Sequence, residues 1–245
     1  MKNPVEVMRS EKNVVVFIHG ILGHPGHFNE LYGLVPKSWD MVKLVLAGHC
    51  GGVRDLSKTT MKEWKRQIKN ELDVLQREGK NIYIVAHSMG TLFAINEATR
   101  RPIKGLFLLN VPLRIRITGR LIKTCYYVYR GDNNDNDRWI EAAIKACGIK
   151  LEKNVLLYAG WLPRYFELFA EIYKTNKLLE KLRCPCKAFI AIKDEMVSTH
   201  SARVLKAYTP ADIIVLRESG HFYYHPGDNK RILSEFKKFI TEGNI

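Results

Sequence analysis

Three side chains in this sequence have the types and the order that nucleophilic acyl chemistry needs. Ser88 stands within Ala86-His87-Ser88-Met89-Gly90, after the apolar run 82–85 (IYIV) and ahead of a helical pattern. The stretch matches G-x-S-x-G with alanine in place of the first glycine. In that motif the serine occupies a strained turn, so its neighbours two places either side must be small. A serine hydroxyl is a weak nucleophile without a base, and the base needs a carboxylate to orient it. Asp194 and His221 follow Ser88 in chain order, each after an apolar run. Glu195 is the alternative acid, and Gly220 is expected to let the backbone swing the imidazole into a cleft. Alone, these are a strand-ending serine, a turn aspartate and a loop histidine. Their shared order and placement point to attack on a carbonyl.

The elements that must position them are readable as well. Residues 14–18 (VVVFI) are apolar without alternation, which suits a strand buried on both faces of a parallel sheet. Residues 41–46 (MVKLVL), 82–85, 105–109 (GLFLL), 187–192 (KAFIAI) and 213–216 (IIVL) predict further strands. Thr60 and Glu63 form a capping box before Trp64, Ile68, Leu72 and Leu75, and Gly79 ends that helix. A helix follows Ser88, and residues 229–240 predict a closing amphipathic helix. Strands alternating with helices imply an α/β fold, a mostly parallel sheet covered on both faces. The alternation lapses from about residue 112 to 183, where the pattern is helical and aromatic. We read residues 1–111 and 184–245 as the core and 112–183 as a helical cap inserted before the acid-bearing strand.

A developing oxyanion needs backbone donors already in place. The Met89 N–H, directly after the serine, is one expected donor. The other is expected from His19-Gly20-Ile21-Leu22-Gly23, with Ile21 as the donor. Taken together, His19-Gly20-Ile21, Gly48-His49, residues 86–90, Lys193-Asp194-Glu195-Met196-Val197 and Ser219-Gly220-His221 resemble the α/β-hydrolase superfamily. Within it they are most similar to small bacterial carboxylesterases and monoacylglycerol lipases, in the serine aminopeptidase-like and lysophospholipase-like group. The resemblance implies a Ser88–His221–Asp194 triad, an oxyanion hole from Ile21 and Met89, no cofactor, and a cap shaping an acyl pocket. One departure is Gly48-His49-Cys50, where the family usually reads Gly-His-Gly.

Composition narrows the remaining choices. The chain has 245 residues and is 46% hydrophobic, enough for one large core. The net charge of +14 could attract nucleic acid, but no stacking motif accompanies it. Simple solubility is the expected role of this charge, with weak association with an anionic membrane surface as the alternative. The first residues, MKNPVEVMRSEKN, lack the apolar run of a signal peptide, and the five cysteines form no framework, so a cytoplasmic location is expected.

His19, His24, His27 and His49 share no ligand spacing with a carboxylate or thiol, so no metal is expected. The tract 131–137 lacks the glycine and glutamate of a calcium loop and reads as a turn capping the helix at Trp139. Cys184-Pro185-Cys186 reads as a lead into a strand. Within the cap, Leu113, Ile115 and Ile117 alternate with Arg114 and Arg116, and Trp161, Tyr165, Phe166 and Phe169 form a second aromatic group. They are expected to pack on the core and line an acyl site, with the arginines meeting an anionic interface or substrate. The expected activity is hydrolysis of carboxylic esters with an apolar acyl or aryl part. The alternatives are a peptidase or amidase on the same triad, or a ligand-binding scaffold without turnover.

Overall fold

Strands that are apolar on both faces must be sandwiched, and the sheet is built that way. The computed structural model describes residues 12–131 and 136–242. Six strands form one sheet in the order β2-β1-β3-β4-β5-β6, and every neighbouring pair is parallel. They are β1 (Asn13–Ile18), β2 (Asp40–Lys43), β3 (Asn81–His87), β4 (Gly105–Leu109), β5 (Cys186–Ala191) and β6 (Asp212–Leu216). Along β1, Val14, Val16 and Ile18 enter one core, and Val15 and Phe17 enter the other.

The helices between the strands cover the two faces. They are α1 (Asn29–Tyr32), α2 (Val53–Ser57), α3 (Met61–Arg77), α4 (Met89–Ala98), α5 (Gly119–Arg130), α6 (Arg138–Ala146), α7 (Leu162–Asn176), α8 (His200–Tyr208) and α9 (Pro226–Glu242). Trp64, Ile68 and Leu72 of α3 and Leu92 and Ile95 of α4 fill the first core. Ile232, Phe236 and Phe239 of α9 fill the second. The start of α3 is fixed by Thr60, whose hydroxyl accepts from the Glu63 N–H at 3.2 Å.

Between β4 and β5 the chain makes α5, α6 and α7 with two 3-10 turns, Val155–Trp161 and Leu179–Lys181. Trp161 anchors this stretch by donating its indole N–H to the Val53 carbonyl at 2.9 Å. Asp137 caps α6 through the Trp139 N–H at 2.9 Å, while residues 132–135 of the polar tract lie outside the described residues. Residues 1–11, most of the N-terminal stretch considered above, lie outside them too.

One strand is shorter than its apolar run. The run 41–46 predicts six residues, but β2 ends at Lys43. Leu44 adds one bond to the Phe17 carbonyl, and Met41 and Val45 face outward at the end of the described sheet. Among the described residues, no helix is long and apolar enough to cross a membrane.

Candidate active site

Ser88 sits between β3 and α4 with φ 51° and ψ −124°, a conformation a non-glycine residue holds only when its surroundings enforce it. Its N–H donates to the Leu109 carbonyl at 3.0 Å, which ties the turn to β4. The small neighbours have a measurable reason. A Cβ on Gly90 would lie 2.3 Å from the Ile18 carbonyl oxygen, so α4 can approach β1 only with glycine there. Ala86 is fully buried in the first core, where a methyl fits.

The three residues expected to act together do meet. His221 Nε2 is 3.0 Å from Ser88 Oγ, and His221 Nδ1 is 2.8 Å from Asp194 Oδ2. The other carboxylate oxygen of Asp194 accepts the Met196 and Val197 N–H groups at 2.7 and 2.6 Å. All three side chains are buried. Burial alone would lower the His221 pKa. The charge and hydrogen bond of Asp194, helped by the charge of Glu195, outweigh it and hold the imidazole above its usual 6.5.

Glu195 does not face the imidazole nitrogens. Its Oε2 accepts the backbone N–H of His221 at 3.1 Å, so it braces the histidine loop. Gly220 also serves a purpose other than the expected swing of the backbone. A Cβ there would meet the Trp139 ring at 1.9 Å, so the glycine lets α6 lie against this loop.

Of the two expected oxyanion donors, Met89 directly follows Ser88, and Ile21 follows Gly20 in the loop after β1. Neither backbone N–H has a partner among the described residues. Met89 opens α4, where the first N–H groups have no partner within the helix. Gly20 packs directly on the serine, since a Cβ on it would be 2.9 Å from Ser88 Cβ. Cys50, in the Gly48-His49-Cys50 departure, takes φ 61° and donates to the Gly148 carbonyl at 2.7 Å. It holds the left-handed backbone that a glycine adopts at lower cost.

One residue at the site was not singled out by sequence, and another has a different role from the expected one. Asn110 follows β4 with φ 54° and donates to the Gly220 and His221 carbonyls, both at 3.1 Å. Its Oδ1 accepts the Ala191 N–H at 3.2 Å, so one buried amide joins the ends of β4 and β5 to the histidine loop. An asparagine directly after a wholly apolar strand is the signal that could have found it. Arg116 was expected to meet an anionic interface or substrate. Instead its guanidinium donates to the Ile192 carbonyl at 3.0 Å and to the Asp194 carbonyl, which pins the acid-bearing loop.

The other histidines pack rather than assemble. His19 is held by the Gly20 carbonyl and the Leu46 N–H, and His27 stacks on His87 with centroids 4.0 Å apart. Burial pushes the pKa of His19 and His27 down to about 3, and that of His49 to about 4. Among the described residues, no group of three or more His, Cys, Asp or Glu side chains could hold a metal ion.

The helices between β4 and β5 contribute to a cavity beside one of the expected oxyanion donors. Leu121, Tyr165, Met196 and Phe222 line this apolar cavity beside Ile21. Ile117, Ile122, Phe166 and Phe169 point outward, while Leu113, Trp161, Leu168 and Ile172 join the first core, so the apolar groups of this stretch divide among core, cavity and surface.

The model of the alpha/beta hydrolase family matches residues 15–233. No curated protein sequence matches. Among solved structures, the chain is similar to one reported for the metagenome-derived lipolytic enzymes LipS and LipT, with a TM-score of 0.69 and 18% identity over 95% of this chain and 94% of that one. It is also similar to the monoacylglycerol lipase of Paleococcus ferrophilus, with a TM-score of 0.68 and 17% identity over 93% and 94% of the two chains. Est1E from Butyrivibrio proteoclasticus, with ferulic acid bound, superposes with a TM-score of 0.64 at 17% identity over 95% and 90%. At these identities the likeness is one of fold.

Proposed function

The chain belongs to the alpha/beta hydrolase family, and from that premise we propose that it is a serine hydrolase cleaving carboxylic esters with an apolar acyl or aryl part. What supports the reading most directly is the chain of contacts Asp194–His221–Ser88, at 2.8 and 3.0 Å, at the carboxyl ends of a parallel sheet. The lipolytic enzymes and the monoacylglycerol lipase that share the fold point the same way.

The reaction follows from the positions of the atoms. Ser88 Oγ attacks the ester carbonyl carbon while His221 Nε2 takes its proton. Asp194 accepts from Nδ1–H, which keeps Nε2 free as the base and stabilises the imidazolium that forms. The carbonyl oxygen becomes an oxyanion held by the Ile21 and Met89 N–H groups. Collapse breaks the bond to the alkoxy oxygen, and His221 returns the proton to the departing alcohol. Water, deprotonated by the same histidine, then attacks the acyl-serine, and the acid leaves with Ser88 restored. The helices of residues 112–183 act as a cap that covers the acyl pocket.

Incubation with a fluorophosphonate probe, beside p-nitrophenyl esters of increasing chain length, tests this reading. Labelling at Ser88 with ester turnover is the expected result. Labelling without ester turnover would point to amides. A protein that neither labels nor cleaves is a binding scaffold, and the reading is then wrong. Ser88→Ala should lower turnover by roughly four to six orders of magnitude.

A further inference from the structure

The cavity beside Ile21 is small and mostly apolar, with about 100 Å³ of space under α5 and α6. A dry cavity of roughly 150 Å³ admits a benzene ring, and a water-sized share is roughly 30 Å³. The space therefore takes a short aliphatic group of about three to five heavy atoms more readily than an aryl ring.

Its walls include three oxygen-bearing side chains of different standing, Thr124, Tyr165 and Glu195. Glu195 is already engaged, with Oε2 on the His221 backbone N–H, and this places the cavity next to the loop of the proposed base. Thr124, on α5, is 4% exposed. Its Oγ1 is buried and has no hydrogen-bond partner among the described residues. A threonine inside a helix ordinarily donates to a carbonyl one turn back, and here it does not. Buried polar atoms are nearly always paired, so an unpaired hydroxyl on a side chain of the cavity wall is a place where a ligand atom completes the bond once that side chain turns toward the space.

We propose that this cavity receives a short aliphatic acyl group bearing a hydroxyl, and that Thr124 is the residue that selects it; the inference rests on the ester-hydrolase reading above. The substrate hydroxyl fills the hydrogen bond that Thr124 lacks, while Leu121, Val128 and Met196 enclose the carbon chain. An acyl group with a methyl in place of that hydroxyl leaves Thr124 buried and unpaired. Sites built to hydrogen-bond a substrate hydroxyl reject the analogue lacking it far more strongly than apolar pockets reject one methylene.

The test compares methyl-for-hydroxyl pairs: ethyl lactate with ethyl isobutyrate, and ethyl 3-hydroxybutanoate with ethyl 3-methylbutanoate. Each kcat/KM is normalised to hydroxide-catalysed hydrolysis of the same ester. In the wild type, at least one hydroxylated ester should be preferred by about tenfold or more. Thr124→Val, which keeps the shape and removes the hydroxyl, should bring that ratio to near one, and Thr124→Ser should retain it. A wild-type ratio within about twofold of one for both pairs overturns the inference while leaving ester hydrolysis intact. So does a ratio that survives in Thr124→Val, or a higher normalised kcat/KM for ethyl benzoate. A second readout needs no turnover. Free 3-hydroxybutanoate should raise Tm more than 3-methylbutanoate in wild type and not in Thr124→Val. Equal shifts in the wild type count against the pocket, even if the protein proves not to be an esterase.

Discussion

The strand ends and the helices above them are held together in different ways. At the strand ends, position is set by backbone: Ser88 N–H on Leu109, Asp194 Oδ1 on two N–H groups, Asn110 on the carbonyls of Gly220 and His221. Little can move without breaking several bonds at once. The helices between β4 and β5 are tied to the core largely through side chains, such as Trp161 on the Val53 carbonyl, Lys65 on Glu171, and Asn96 on Glu171 and Thr175. Large apolar side chains there remain exposed, Leu156 by 80% and Ile117 by 79%. The first region is built for one chemistry. The second can change its lining without disturbing that chemistry, and this is where substrate choice is expected to sit.

The contrast is broken most severely at the acid. Asp194→Asn keeps the shape but replaces one acceptor oxygen with an amide nitrogen. His221 then loses the partner that fixes its tautomer, and kcat should fall by about 10⁴-fold, as for this substitution in other triads. A loss under tenfold, measured on any ester the wild type cleaves, would mean that Glu195 can stand in. Gly90→Ala acts on the same region through sterics. A Cβ 2.3 Å from the Ile18 carbonyl forces α4 away from β1 and carries Ser88 with it. A displacement near 1 Å costs about 10²-fold in rate. Melting and turnover should both fall; full activity at wild-type Tm would show that the sheet end is more compliant than its contacts suggest.

How much of this was legible follows the same division. β4 is the five-residue run 105–109 as read, because burial on both faces leaves an unbroken apolar string. The serine motif, Asp194 and His221 were legible because each is a chemically distinctive residue placed just after such a string. Asn110 was not, since its importance lies in a left-handed backbone and in carbonyls more than a hundred positions away. Nor was the reason for Gly220, which depends on Trp139 arriving from another element. The overlong 41–46 strand shows the limit of reading apolar runs: Met41 and Val45 are exposed, so apolar character there does not mark burial. Which residues of α5 and α7 face inward was beyond periodicity, because exposed Ile122, Tyr126, Phe166 and Phe169 share those helices with buried or cavity-lining side chains.

A gentler perturbation separates charge from shape at the base. The pKa of His221 lies above 6.5 because Asp194 and then Glu195 raise it against the effect of burial. The base works only when neutral, so kcat/KM should fall as pH drops through a midpoint above 6.5. Glu195→Gln keeps an acceptor for the His221 N–H but removes a charge that favours the imidazolium. The midpoint should therefore move to lower pH, and activity should extend further into acid. An unmoved midpoint in the pH–rate profile would mean that Glu195 is neutral throughout that range, in keeping with the upward push that burial gives its own pKa.

The smallest expected effect concerns the outer side of the helices, where Ile117, Ile122, Phe166 and Phe169 are exposed on a chain of net charge +14. Apolar side chains beside cations suit the boundary layer of an anionic membrane, and each Lys or Arg near such a surface contributes about 1 kcal/mol. Weak binding to vesicles rich in phosphatidylserine is expected at about 0.02 M salt, with release by about 0.3 M as the Debye length shrinks. Phe166→Ser should weaken the low-salt binding, while hydrolysis of a short water-soluble ester changes little because Phe166 is 69% exposed and away from the cavity lining. If no vesicles bind at low salt, the exposed apolar groups have no lipid partner, and the basic charge serves solubility alone. If binding survives high salt unchanged, apolar insertion and not charge holds the protein to the lipid. The outer surface would then differ from the strand ends in its solvent as well as its rigidity.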